Sequence, residues 1–221
     1  MNPQMRMLLL IPAAFFVPII HEFVKAWIST ILGDPTPRHK GMLTLNPLKY
    51  FEPIGFFFMM AFQMGWARPV PTSALHYKDR RMGVLLTYGV PVIANLMLGI
   101  IANILVMAMN SSLTLNNWLN VQMISGNMLA YNAVVNSVRA LLLFAQTNVV
   151  FALFSLLPVY PMAGNKLIQL LVSPEVIARI THYEKPMQII MILLISMGML
   201  RGFIVPWANA ILGLFGGFPM F

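Results

Sequence analysis

Three ionisable side chains stand one helical turn apart in an otherwise apolar stretch, His21-Glu22-Phe23-Val24-Lys25. Charged groups inside an apolar segment are costly and usually mark function. The spacing is that of H-E-x-x-H, in which two histidines at i and i+4 share a helix face and bind zinc while the glutamate serves as general base on the zinc-bound water. Here the fifth position is Lys25, whose ammonium carries three donors and no lone pair for a metal. Glu22 and Lys25 are three apart, so on a helix their side chains can meet. A buried glutamate without a partner would be strongly unfavourable. Lys25 is therefore expected to neutralise Glu22 where a metal would otherwise do so.

The elements that hold this cluster are membrane elements. Of the 221 residues, 59% are hydrophobic and only 9% charged, against about a quarter charged in soluble domains. The composition predicts an all-α polytopic membrane protein whose single membrane domain uses the whole length, 1–221. The net charge of +8 does not point to nucleic acid. Arg38, Lys40, Lys49, Arg68, Lys78, Arg80 and Arg81 all fall in 33–81, whereas 110–127 has no lysine or arginine. That asymmetry predicts 33–81 on the cytoplasmic side and 110–127 outside. With no cysteine there is neither a disulfide framework nor thiolate chemistry. The N-terminal apolar run lacks the small-residue cleavage pattern of a removable signal.

Residues 5–32 are long enough to cross the hydrocarbon core, with Pro12 and Pro18 as possible kinks and the His-Glu-Lys cluster near the cytoplasmic end. Residues 33–50 read as loop, with 42–45 as a short strand in a cytoplasmic β-hairpin. The apolar piece 54–65 is short for a full span and is flanked by basic segments, which predicts a re-entrant or buried segment. Residues 66–81 read as a loop at the membrane surface. Helices follow at 82–109 and 140–157, joined by an uncharged external loop. Residues 173–186 read as a charged loop, and 187–218 as either one tilted span with a surface helix or a tight helical pair. His76 and His182 are expected in solvated loops, and the 19 methionines as adaptable core packing.

Four pieces occur in one order: His21-Glu22-x-x-Lys25-Ala26; Gly33-Asp34-Pro35-Thr36-Pro37 with Leu43-Thr44-Leu45-Asn46-Pro47; Gly65-Trp66-Ala67-Arg68-Pro69-Val70-Pro71; and Leu157-Pro158-Val159-Tyr160-Pro161-Met162-Ala163-Gly164. Together they resemble the site-2 protease family of intramembrane zinc metalloproteases in its compact bacterial form, over roughly residues 5–172, with 173–221 as a C-terminal loop and membrane helices. The resemblance implies a bacterial cytoplasmic-membrane protein, zinc as the family's cofactor, and a transmembrane segment of another membrane protein as partner.

Carried over by position, His21 matches the first zinc ligand and Glu22 the general base. Lys25 stands where the second histidine belongs, and Ala163 where the family's third ligand, an aspartate, belongs. Asn95, with Pro91, resembles an element that helps position substrate, with Val90 at a position that is glycine in the family. An interhelical hydrogen bond is the other role open to Asn95. Ser155 and Tyr50 replace a common asparagine and a frequent histidine. The charges of zinc, aspartate and glutamate in the intact site cancel, and so do those of Lys25 and Glu22. A residual metal site would need another ligand, such as His39.

The resemblance with these substitutions points to a degenerate zinc site with no zinc bound, in a pseudoprotease that binds or regulates a membrane-protein client. The alternative is an active intramembrane zinc metalloprotease with an unusual site. A transporter lacks support, because there are too few intramembrane charges and no matching broken helices.

Overall fold

The computed structural model describes residues 2–216. Asn2 and Pro3 open the first helix, α1 (Pro3–Ile31), as the side chain of Asn2 accepts from the Gln4 N–H and proline occupies a position that needs no donor. A four-residue turn of helix, α2 (Thr36–His39), follows. The apolar 54–65 stretch becomes α3 (Pro53–Phe62), capped by Glu52 on Ile54 and Gly55. Asp79 caps α4 (Arg80–Ser111) through Arg81 and Met82.

The uncharged 110–127 segment is not a plain loop. Ser112 caps a further helix, α5 (Leu113–Ile124), and Asn127 then caps α6 (Met128–Ser155). The last long helix thus begins well before residue 140. A short helix, α7 (Ala163–Ile168), follows; a second, α8 (Pro174–His182), then replaces most of the charged loop expected at 173–186, and His182 is helical. The chain continues through α9 (Glu184–Ser196) and α10 (Met199–Leu214).

By length and apolar composition α1, α4 and α6 can each cross a membrane, and α9 with α10 form a pair bent by 73°. The described part of 187–218 forms this bent pair, and 217 and 218 lie outside the described residues. At its turn Gly198 adopts φ +72°, a conformation glycine takes without steric cost. The protein is an integral membrane protein. α4 and α6 pack along each other, α1 lies against both, and α10 packs on α6. The ten-residue α3 is too short to span and packs on α1.

The expected β-hairpin is absent, and no strand occurs among the described residues. Residues 42–45 form bends instead. The hydroxyl of Tyr50 donates to the carbonyl of Met42 and approaches that of Thr44 at 3.0 Å. Thr44 Oγ1 accepts from the Asn46 N–H at 3.2 Å. Those groups are thereby withdrawn from any ladder, and Pro35, Pro37 and Pro47 supply no ladder donor.

Candidate functional site

α1 presents His21, Glu22 and Lys25 inward, and all three are buried. Glu22 is 7% and Lys25 3% exposed, with Lys25 Nζ 2.5 Å from Glu22 Oε2. The same oxygen accepts the N–H of Val70 at 2.6 Å. The Arg68 to Pro71 stretch of the 66–81 loop, expected as a turn at the membrane surface, therefore reaches into the site. It does so because Arg68 N–H donates to the carbonyl of Tyr50 at 2.8 Å, which pins this stretch beside the 42–50 bend. On its other side Lys25 lies over the ring of Tyr88, 5.5 Å from the centroid, and a desolvated ammonium gains from the negative ring face.

His21 packs edge-on against Phe151, and its Nδ1 lies 3.0 Å from Asn95 Oδ1. The orientation of this bond follows from two backbone carbonyls. Asn148 Nδ2 donates to Phe144 O at 2.9 Å, so its Oδ1 accepts from Asn95 Nδ2 at 3.0 Å. Asn95 Nδ2 also donates to Val17 O at 3.3 Å, which turns Asn95 Oδ1 toward the imidazole. Nδ1 is accordingly the donor, and in the neutral ring Nε2 keeps the lone pair. Asn95 thus ties α4 to α1 and α6 by interhelical hydrogen bonds and fixes the His21 tautomer. Asn148 was not singled out from sequence, although an asparagine in the apolar 140–157 run was a legible signal.

Ala163 begins α7 and is buried with Val92 and Ala152, beside Tyr88 and Leu96. Tyr88 thus lies under Lys25 and also packs against the cluster that contains Ala163. The Met162-Ala163-Gly164 turn is held by close approach: a Cβ on Gly164 would sit 2.0 Å from the carbonyl oxygen of Leu156. Ser155 is buried and donates to Ala152 O.

A second buried cluster braces the end of α1. Asp34, fully buried, accepts from Ser29 Oγ at 2.8 Å, Thr36 N at 2.9 Å and Ser73 N at 2.7 Å. His76, whose side chain is 47% exposed as expected of a solvated loop residue, has its Nδ1 3.4 Å from Asp34 Oδ1. Tyr77 OH bridges Ser29 at 2.8 Å and Thr87 at 3.0 Å. Burial alone would raise the Asp34 pKa, but the hydrogen bonds from Thr36, Ser73 and Ser29 outweigh it and hold the carboxyl below its ordinary value.

No family model and no solved structure matches the chain. Over 166 residues it is 32% identical to the Bacillus subtilis (strain 168) protein named "Putative zinc metalloprotease YwhC", an alignment covering 75% of this chain and 69% of the relative. The chain belongs to that zinc metalloprotease family.

For this family member the donor set does not fit a catalytic zinc. Such a site needs three protein ligands and an open position. His21 offers one nitrogen. The Lys25 ammonium is held by Glu22, and the methyl of Ala163 donates nothing. Glu22 Oε2 is itself engaged by Lys25 and Val70. His39 ends α2, exposed. What the arrangement does hold is a desolvated ion pair beside an oriented imidazole.

Proposed function

We propose that this membrane protein is a site-2-type pseudoprotease, which receives a transmembrane segment of a client membrane protein and shields or regulates it without cleavage. The observation that carries the reading is the 2.5 Å contact of Lys25 Nζ with Glu22 Oε2. It places a fixed cation on the carboxylate that would otherwise activate water, and leaves no second nitrogen ligand on that face of α1. Replacement of the metal by Lys25 keeps the site neutral, so the scaffold retains its packing without zinc.

The rival reading is an active zinc protease with an unusual site. It draws on the retained His21 and Glu22 and on the relative's printed name. Elemental analysis of the detergent-purified protein beside a Lys25→His/Ala163→Asp double variant separates the two. The pseudoprotease reading expects negligible zinc in the parent and about one zinc per chain in the double variant. Near-stoichiometric zinc in the parent would sink it.

A further inference from the structure

A cavity of about 280 Å³ opens at the opposite end of α4 from Tyr88, between the last turns of α4, the helix α5 and the first half of α6. Met109 of α4, Leu115 and Leu119 of α5, and Val138 and Leu142 of α6 line it, each half-buried. The helix α5 packs on both α4 and α6, and it is fastened there where Asn116 Nδ2 donates to the carbonyl of Asn110 at 3.0 Å. One wall carries Arg139, which is exposed.

Arg139 is the only Lys, Arg, Asp or Glu in 82–165, and 80–174 contains no aspartate or glutamate. It stands about 16 Å along a candidate membrane span, counted from Met128 at 1.5 Å per residue. A guanidinium at that depth is costly unless it meets water, a headgroup or a counter-charge. Among the described residues it makes one hydrogen bond, Nη1 donating to Asn136 Oδ1 at 3.3 Å, whereas a guanidinium has five N–H donors. No acidic side chain lines the cavity, so a counter-charge for Arg139 comes from outside the chain.

We propose that this groove holds an acyl chain of an anionic phospholipid, with the lipid phosphate on Arg139. The guanidinium fork matches phosphate oxygens in both charge and donor geometry. The apolar walls from three helices supply the surface against which the acyl chain lies, and a concave apolar site with one placed polar group is the usual form of a small-ligand site. A zwitterionic headgroup would also bring a cation, which no acidic residue in these helices can meet. The site does not involve the His21–Lys25 cluster and is independent of whether that cluster holds zinc.

The test places the full chain in phosphatidylcholine nanodiscs doped with either phosphatidylglycerol or phosphatidylcholine that carries a photoreactive acyl chain, and maps the cross-linked residues by mass spectrometry. In the parent, phosphatidylglycerol should label 109–119 and 135–142 roughly fivefold or more above phosphatidylcholine, as expected of one charge-assisted contact. The exposed face of α9 should show no such preference. Arg139→Gln should abolish the preference, Arg139→Lys should keep part of it, and Lys49→Gln, a charge control elsewhere, should match the parent. Leu119→Trp, which fills the groove with Arg139 intact, should lower labelling there by both lipids. Unfolding midpoints identify any variant that is not folded, and Arg139→Lys with Leu119→Trp then carry the comparison. Equal labelling by the two lipids in the parent, or an unchanged preference in folded Arg139→Gln, overturns the proposal. A preference of the same size on α9 overturns a defined site in favour of general attraction to the surface. Absence of both lipids from the groove, together with a dimer in native mass spectrometry, overturns the lipid in favour of a second copy of the chain.

Discussion

Lys25 and Glu22, one helical turn apart on α1, form a buried ion pair whose shared oxygen also accepts the Val70 N–H from a segment 48 residues downstream. This three-way contact joins the helix to the 65–71 turn. It also makes the position of Glu22 depend on Lys25. Its energetic weight lies in what happens when one partner is removed.

Lys25→Met would leave the Glu22 carboxylate buried without its counter-charge, and breaking such a pair costs about 3–5 kcal/mol. The variant should unfold at markedly lower temperature in detergent. Glu22→Gln/Lys25→Met should recover most of the loss, because no charge then remains to be paired. A single variant as stable as the parent would show that the pair does not hold the site together.

The His21 tautomer depends on a residue that does not touch it. Asn148→Ala removes the acceptor of Asn95 Nδ2 and should cost about 1–3 kcal/mol as a buried donor loses its partner. Nitrogen chemical shifts of labelled His21 should show less Nδ1 protonation than in the parent. Unchanged shifts would mean that Asn95 is oriented by Val17 alone.

Gly164→Ala places a methyl against backbone, 2.0 Å from Leu156 O, so the 156–164 turn has to open. Gly89→Ala, on α4 with nothing within 4 Å of the added atom, should instead be neutral or stabilising by up to about 1 kcal/mol through helix propensity. Thermal unfolding of the two variants side by side tests the contrast. Similar midpoints would remove the case for close approach at Gly164.

Asp34 has a folded pKa below its unfolded value. Its stabilising contribution is therefore complete above the ordinary aspartate value, near 3.9, and is lost as pH falls through the lowered folded value. Between pH 5 and about pH 3 the parent should lose stability more steeply than Asp34→Asn, whose residue 34 does not titrate. Parallel pH profiles for the two would show that Asp34 is not held ionised.

The membrane class and the outline of the long helices followed from the sequence, because apolar length and capping are local properties. Asn2, Glu52, Asp79, Ser112 and Asn127 each accept from an N–H two or three residues on, so their helix starts are written in short stretches of chain. The Glu22–Lys25 pair was legible for the same reason: i and i+3 on a helix are neighbours before any tertiary packing. The 42–45 strand was misread because alternation in a short apolar run does not reveal that Tyr50 takes the carbonyls a ladder would need.

Everything that sets the site's chemistry across elements required the folded chain. Val70 on Glu22, Tyr88 beneath Lys25, and Asn148 behind Asn95 and His21 join segments separated by 48 to 74 residues, or unite three helices. Sequence spacing constrains distances only along one helix or one turn. Which oxygen accepts which donor was decided when α1, α4 and α6 packed together and left each buried polar group to find its partner without water.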